Sequence, residues 1–264
     1  MTKHFIPQML AAALVLAPLA SGGAITMSAT YYTIGETDQD MGHLAGGVLS
    51  NEVQNGLGVD GLPILNTSTY GCTSDCFTNT PLPADLTASG EITWWSPSLN
   101  NGGSGGASDV VETSTGTITL PYANGAFYPP DGTGPNDASG FQSAVFSTVL
   151  DVPSEESISF NVGADDVAFV YLDGNIVCDL GGVHGDSPGS CISGTLTGGE
   201  HTLELFYADL AQTGAALTFD VTTEDISGNP TPEPSSFALL LTALAAVGVV
   251  RGGVHLSAIF RPGR

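Results

Sequence analysis

The central part of this 264-residue chain contains no lysine or arginine. The four basic side chains all stand near the ends, at Lys3, Arg251, Arg261 and Arg264, whereas residues 25–230 contain 26 of the 27 Asp and Glu residues. A fold made from this region has no Lys or Arg to pair with its carboxylates, so they must be solvated, hydrogen-bonded or metal-bound. The same charge excludes nucleic acid as a partner, because phosphate binding needs a basic surface.

The first 24 residues are typical of a secretory signal peptide. Lys3 gives a positive start, an apolar run extends from Met9 to Ala20, and small residues follow at 21–24. Signal peptidase reads this order in exported proteins. We therefore expect a signal peptide with an apolar helix at 1–24, and export of the rest of the chain.

The C-terminus holds a second apolar segment, Phe237 to Val250, which is shorter than the roughly 20 residues of a bilayer-spanning helix. It follows Pro232-Glu233-Pro234 and precedes Arg251. This order resembles the PEP-CTERM sorting signal of Gram-negative bacteria that make extracellular polysaccharide. The resemblance implies that an exosortase-type enzyme recognises the Pro-Glu-Pro tail. It also implies that residues 237–264 hold the protein in the inner membrane before it reaches the cell surface or extracellular matrix. A plain membrane anchor with cytoplasmic arginines is the alternative.

Four cysteines fit an exported chain. Cys72 and Cys76 are close in sequence, and twelve residues separate Cys178 from Cys191. We predict nearest-neighbour disulfides, although four cysteines allow three connectivities. A metal–thiolate site at Cys72 and Cys76 is the alternative, but the chain lacks a second close pair with zinc-ribbon spacing.

Short apolar runs between turn residues fill the middle of the chain. Residues 157–162 alternate polar and apolar side chains, which predicts a half-buried strand, and residues 167–172 are apolar on both faces, which predicts a central strand. Asp173-Gly174 predicts a two-residue hairpin turn. The best candidate for a short helix is 41–58. Further strands are expected at 117–120, 144–152, 175–180, 203–207 and 217–221. The pattern predicts an all-β fold, an antiparallel β-sandwich or jelly roll.

Two glycine clusters predict loops. The run from Gly102 to Gly106 is expected to be a flexible loop and not a phosphate cradle, because it lacks the Gly-Lys-Ser/Thr ending. Asp179 is expected to hydrogen-bond the backbone of Gly181-Gly182, which follows it in sequence.

Residues 163–184, GADDVAFVYLDGNIVCDLGGVH, resemble the core motif of the fibro-slime domain. That family shows a run of aspartates, an apolar strand, an Asn/Asp-Gly turn and then Asp-Leu-Gly-Gly-Val-His. Residues 127–132 resemble its Phe-x-Pro-x-Asp-Gly, and the resemblance covers about 31–222, with 223–236 as a linker to the tail. The chain departs from the family at Ala164, which replaces the first of three aspartates, and at Asp209-Leu210, which replaces Glu-Arg.

Fibro-slime domains are similar to the protective-antigen-like sandwiches of yeast flocculins and many glycan-processing proteins. In the lectin members, two adjacent aspartates before a strand ligate calcium, and the calcium holds sugar hydroxyls. The resemblance gives that role to Asp165 and Asp166, with calcium as cofactor and an extracellular polysaccharide or glycan as partner. Asp131, in a Pro-Pro-Asp-Gly turn, is a further candidate ligand. The alternative is that one aspartate caps a turn and the other is solvated.

Three more side chains are candidates for contact with a ligand. His184 either binds a ligand or satisfies the backbone of its own loop. Trp94 and Trp95 are adjacent, so one faces inward in a strand and the other is available to stack on a sugar ring. His201 has no partner cluster in the sequence and is expected at the surface.

These features predict an exported, non-catalytic surface or matrix protein that binds glycan with calcium. The alternative is a structural or ice- or surface-adhesive spacer, although the Thr-x-Thr repeats that favour it are few, chiefly at 117–119 and 195–197. A glycoside hydrolase needs two carboxylates in a cleft. The chain has no Gly-x-Ser-x-Gly or His-Glu-x-x-His motif, and we expect no enzymatic activity.

Overall fold

The structure, a computed structural model, describes residues 24–38, 40–42, 46–70, 83–127 and 140–229. Its regular elements are almost entirely β-strands. The strands are β1 (Thr26–Ile34), β2 (Val53–Leu57), β3 (Pro63–Leu65), β4 (Val110–Thr119), β5 (Tyr122–Asn124), β6 (Phe141–Val152), β7 (Glu156–Asp165), β8 (Val167–Leu172), β9 (Asn175–Leu180), β10 (Ser187–Leu196), β11 (Gly199–Ala208), β12 (Ala216–Val221) and β13 (Ser227–Asn229). One short helix, α1 (Thr67–Tyr70), and two 3-10 turns, Pro83–Asp85 and Ser104–Gly106, accompany them.

The strands form two antiparallel sheets that pack as a β-sandwich, which confirms the predicted fold class. The large sheet has the order β3-β2-β9-β8-β11-β6-β1-β4, and β13 pairs with β6 beside it. The small sheet has the order β10-β7-β12-β5. Strands β7 and β8 follow each other in sequence but belong to different sheets. The chain therefore crosses between the sheets at Asp166, the residue that separates β7 from β8.

The main core lies between the two sheets, because the alternating apolar residues of each strand face inward there. The small sheet contributes one side chain in two from β7 and β12, and the large sheet does the same from β8 and β11. Members of this core are Ile158, Phe160, Val162, Leu217 and Phe219 from the small sheet, and Ala168, Val170, Leu172, Leu203, Leu205 and Tyr207 from the large one. The strands predicted at 157–162, 203–207 and 217–221 are present, and each has one face in this core.

A second core covers the opposite face of the large sheet. The remaining residues of β8, which are Val167, Phe169 and Tyr171, pack there with Trp94 and Trp95. Because β8 is buried on both faces, it carries the continuous apolar run from which a central strand was predicted. Irregular chain, not a third sheet, supplies the cover: both tryptophans lie in the turns after the 3-10 turn at Pro83–Asp85.

The Cys178–Cys191 disulfide joins the two sheets. Cys178 lies on β9 of the large sheet and Cys191 on β10 of the small sheet, with 5.6 Å between their Cα atoms. This pairing confirms one of the two predicted bridges. Cys72 and Cys76 lie outside the described residues, so the second bridge stays a prediction.

One expectation about the elements is wrong. No helix forms in the described part of 41–58; its last residues form strand β2, which pairs with β3 and touches β9 at Gly56 and Asn175. Strand pairing also occurs outside the range 31–222, because β1 begins at Thr26 and β13 pairs with β6 inside the predicted linker. A three-residue pairing such as β13 carries too little periodicity to be recognised in sequence.

Among the described residues, no helix has the length and apolar character needed to cross a bilayer. The signal helix predicted at 1–24 and the apolar tail predicted at 237–264 both lie outside those residues.

Candidate functional site

Three buried carboxylates converge where the chain crosses between the sheets. Asp165 ends β7, Asp166 precedes β8, and Asp209 follows β11, the neighbour of β8 in the large sheet. One ligand atom from each lies within 4.8 Å of the others. The peptide bond between Asp165 and Asp166 is cis. Two of the three are the residues that the sequence proposes as calcium ligands, and the structure brings Asp209 to them.

Backbone amides from two loops hold the carboxylate of Asp166. Its Oδ1 accepts a hydrogen bond of 2.7 Å from the nitrogen of His184, and its Oδ2 accepts bonds of 2.7 and 2.8 Å from the nitrogens of Leu210 and Ala211. The side chain is fully buried. Three charge-assisted bonds fix both oxygens in position, so Asp166 is not the solvated aspartate of the alternative interpretation.

The main chain of Asp165 is held by the core, and one oxygen of its side chain lacks a hydrogen-bond partner among the described residues. Its carbonyl accepts a 2.7 Å hydrogen bond from the hydroxyl of Tyr207. Its Oδ1 is buried and has no hydrogen-bond partner among the described residues. Its Oδ2 lies close to the position that a Cβ would occupy at Gly214. The backbone of Gly214 has a positive φ of 89°. A glycine there lets the carboxylate come close to the backbone, because a Cβ would collide with it.

Burial raises the pKa values of both adjacent carboxyl groups. The pKa of Asp165 is raised to about 7. Desolvation is the largest cause, and the charge of the neighbouring Asp166 is the second. Desolvation also raises the pKa of Asp166 to about 6, although its three backbone donors act in the opposite direction. Two adjacent buried carboxylates resist ionising together unless a positive charge stands between them. A cation is such a charge, and the chain has no Lys or Arg between 25 and 230 to act instead.

His184 lies beside this site, and one of its two ring nitrogens has no hydrogen-bond partner within the described chain. Its backbone nitrogen binds Asp166, and its Nδ1 lies 2.9 Å from the carbonyl oxygen of Gly185. Its Nε2 is buried and has no hydrogen-bond partner there. The structural role anticipated for His184 is therefore present, and contact with a ligand stays a prediction.

The tryptophans do not form a stacking platform for a sugar. Trp94 and Trp95 are both buried, with the indole nitrogen of Trp95 donating 2.7 Å to the carbonyl of Tyr207. The prediction that one of them faces a ligand is wrong, because these residues lie in turns and not in a strand. A strand would point one of them outward, whereas here both rings pack on the outer face of the large sheet, Trp95 against Phe169 and Phe206.

The described residues fit a hard divalent cation of the calcium class. All three candidate donors are carboxylate oxygens, which such cations prefer. Oδ1 of Asp165 is buried without a hydrogen-bond partner among the described residues, and Gly214 leaves room for its Oδ2, so the carboxylate is free to face a cation. Asp165, Asp166 and Asp209 would hold the ion.

Several predicted site residues lie outside the described residues. These are Asp131, the cysteines Cys72 and Cys76, and the sorting residues Pro232, Glu233, Pro234 and Arg251. Asp209 was missed as a ligand. Its only signal in the sequence is that an acid directly follows a strand, at the point where the chain departs from the fibro-slime pattern.

No family model matches the chain, and no curated protein matches it. Matching solved structures include the epithelial adhesin 9 A domain of Candida glabrata in complex with Galb1-4GlcNAc, at 11% identity over 80% of this chain and 87% of that one, with a TM-score of 0.36. They also include the PA14 sugar-binding domain from an RTX adhesin, at 22% identity over 36% of this chain and 57% of that one, with a TM-score of 0.29. The PA14 domain of the MpAFP antifreeze protein matches at 15% identity over 36% and 55%, with a TM-score of 0.29. The chain spans little more than half the length of the last two structures. At these TM-scores the likenesses define neither a ligand nor a site for this chain.

Proposed function

We propose that the sandwich is the ligand-binding domain of an exported surface or matrix protein, and that it binds a glycan through a calcium ion held by Asp165, Asp166 and Asp209. The observation that carries this proposal is the convergence of three buried carboxylates in a region without Lys or Arg. The role is binding and not catalysis.

The chemistry of the donors supports calcium. Calcium takes six to eight oxygen ligands at flexible angles, and three carboxylates supply at most six. A bound ion would offer its remaining coordination positions to hydroxyl or carbonyl oxygens. The backbone bonds on Asp166 hold the site rigid before any ligand arrives, which lowers the entropic cost of binding.

The glycan as ligand class follows from the resemblance to the fibro-slime domain and its lectin relatives. Vicinal hydroxyls of a sugar are neutral oxygen donors, and a site with a net negative surround does not repel them. An acidic domain also suits a neutral polymer better than a polyanionic one. Export through the signal at 1–24, and sorting or anchoring through 232–264 by an exosortase-type enzyme, belong to the same proposal.

The proposal is tested by a glycan array probed with the full chain. We expect binding in millimolar calcium that is lost in chelator and in Asp165→Asn and Asp166→Asn. Asp151→Asn changes an exposed acid on β6 by the same chemistry and is the matched control. Binding that persists in chelator and in both site variants would rule out a calcium-dependent glycan site.

A surface-adhesive spacer is the second candidate, and strand β4 favours it. This strand lies at the edge of the large sheet, and its residues 111–117 are all exposed, with threonines at 113, 115 and 117. A row of exposed threonines along a sheet edge suits adhesion to an ordered surface, although the pairing of β4 with β1 shifts register at Thr113. Under this reading, adhesion is unaffected by chelator and falls when Thr113, Thr115 and Thr117 are replaced by lysine.

A further inference from the structure

A second group of buried carboxylates lies on the outer side of the large sheet. Asp38 and Asp40 follow β1, and Asp85 ends the 3-10 turn at Pro83–Asp85. One ligand atom from each lies within 4.8 Å of the others, and each residue is at most 4% exposed. Asp109, just before β4, stands beside them at the loop of Gly102 and Gly103. We call Asp38, Asp40 and Asp85 the outer acidic cluster.

Two buried oxygens in this cluster lack a donor. Oδ1 of Asp38 accepts a 2.9 Å bond from the nitrogen of Asp40, and Oδ1 of Asp85 accepts a 2.6 Å bond from Nδ2 of Asn100. Oδ2 of Asp38 and Oδ2 of Asp85 are buried and have no hydrogen-bond partner among the described residues. A buried carboxylate oxygen without a partner is costly, and a positive ligand or a proton would remove that cost.

The carboxylates of Asp38 and Asp85 both lie close to the backbone of Gly102. A Cβ at Gly102 would lie 2.6 Å from Oδ2 of Asp38 and would also collide with Oδ1 of Asp85. A Cβ at Gly103 would lie 2.8 Å from Cγ of Asp109. The glycine run that the sequence identifies only as a flexible loop therefore begins with two buried residues, whose missing side chains leave room for the carboxylates to gather.

We propose that the outer acidic cluster is a second site for a divalent cation of the calcium class, distinct from the site at Asp165 and Asp166. Its side-chain donors are carboxylate oxygens drawn from two separate segments. Magnesium keeps several waters and usually uses one or two carboxylates, whereas calcium accepts three or more. The rival explanation is that the carboxyl groups share protons among themselves and bind no ion.

The position of the second ion gives it a role in supporting the first site. It would join the segment of Asp38 and Asp40 to the turn at Asp85. The nitrogen of Gly42, two residues after Asp40, donates 2.8 Å to the carbonyl of Leu210, and the nitrogen of Leu210 donates to Asp166. A cation on the outer cluster thus secures a segment that hydrogen-bonds the loop holding Asp166. This inference does not require that the first site binds a glycan.

The test counts calcium ions bound to the full chain by equilibrium dialysis after chelator treatment. Asp85→Asn is the main variant because asparagine has the shape of a protonated aspartic acid and keeps an acceptor for Asn100. We expect Asp85→Asn to bind one ion fewer than the wild-type chain, and Asp151→Asn to bind the same number. Equal counts in wild type and Asp85→Asn overturn the proposal in favour of shared protons.

Tryptophan-sensitised terbium luminescence gives a second readout of the same site. Trp94 donates a 2.8 Å hydrogen bond from its indole nitrogen to Oδ2 of Asp40, so an ion on the cluster lies within energy-transfer range of the ring. We expect Asp85→Asn to lose at least half of the calcium-displaceable signal.

If Asp85→Asn does not fold, judged by circular dichroism, Asp38→Asn is tested by the same two measurements. If neither folds, the count in Asp165→Asn decides, because that variant lacks the first site: no bound ion in Asp165→Asn overturns the proposal. Loss of binding in Asp165→Asn alone leaves the difference between wild type and Asp85→Asn intact, so the two sites fail separately.

Discussion

The hydroxyl of Tyr207 donates a 2.7 Å hydrogen bond to the backbone carbonyl of Asp165. Tyr207 is fully buried between the sheets, and its own carbonyl accepts the indole N–H of Trp95 from the outer core. One residue of β11 therefore connects the packing of both faces of the large sheet to the aspartate pair. The position of Asp165 is fixed by the core and not by its loop alone.

Tyr207→Phe is expected to lower the free energy of unfolding by about 1–3 kcal/mol, because it leaves the buried carbonyl of Asp165 without its donor. Urea unfolding of the full chain measures this. Tyr31→Phe is the matched control, at a half-buried ring that packs edge-on against Phe146. Equal losses in the two variants would mean that the hydrogen bond contributes nothing beyond the ring.

Calcium is expected to raise the melting temperature of the chain, because an ion that binds only the folded state stabilises it. At a concentration 100-fold above the dissociation constant the gain is about 2.7 kcal/mol per site. That corresponds to roughly 5–10 °C for a domain of this size. Differential scanning calorimetry in calcium and in chelator tests this. Asp166→Asn should lose the contribution of the first site, and Asp151→Asn should keep it.

Glu52 is expected to make stability depend on pH. It is fully buried, its Oε2 accepts a 2.7 Å bond from the nitrogen of Gly182, and its Oε1 has no hydrogen-bond partner among the described residues. Burial raises its pKa from 4.5 to about 8. The folded chain therefore keeps a proton that the unfolded chain releases above pH 4.5. The contribution is fully present below the unfolded pKa and is lost as the pH rises towards 8, at up to about 1.4 kcal/mol per pH unit.

Glu52→Gln should remove that slope, because glutamine resembles the protonated acid at every pH. The measurement is the urea midpoint in chelator between pH 5 and pH 8, with Glu200→Gln at an exposed position as control. We expect the advantage of Glu52→Gln over wild type to grow with pH. A constant difference between the two across this range would contradict the buried, protonated state of Glu52.

Loss of the Cys178–Cys191 bridge should destabilise the sandwich by about 3 kcal/mol, the chain-entropy value for a loop of this length. The double variant Cys178→Ala/Cys191→Ala tests this by urea unfolding under oxidising conditions. Cys72→Ala/Cys76→Ala is the control, since it removes two cysteines without touching the bridge between the sheets. The Cys72→Ala/Cys76→Ala chain should lose the same amount when it is placed in reducing agent, and stability close to that of oxidised wild type in either case would contradict this role.

Alternating side chains predicted the strands well, because one buried face imposes a period of two on the sequence. The Asp173-Gly174 turn is also as expected, with φ of 50° and 70°. Periodicity does not say which sheet a strand joins, so it could not reveal that β7 and β8 separate. It also could not show that loops cover the outer face, and the tryptophans were misassigned for that reason.

The acidic sites were harder to predict than the strands because their members meet through distant pairings. Asp209 reaches Asp166 only because β11 lies beside β8, and Asp85 reaches Asp38 across more than 40 residues of sequence.

His201 was expected at the surface, yet it is buried, with its Nδ1 2.6 Å from the carboxylate of Asp173. The amide of Gly182 is bound by Glu52, whereas Asp179, which was expected to bind this loop, accepts the nitrogen of Val53.

Strand β6 also fixes how the domain would be displayed. Its residues Val149–Asp151 pair with β13, the last strand before the predicted tail. A Cβ at Gly228 would lie 2.9 Å from Ile25, so the first and last segments of the described chain meet there. The opposite end of β6, at Gln142, accepts the amide of Asp209. At about 3.4 Å per residue, the two points are roughly 25 Å apart. If the predicted tail tethers the domain, the tether would start at the end of β6 that is opposite the end beside Asp209, so the aspartates would lie far from the point of attachment.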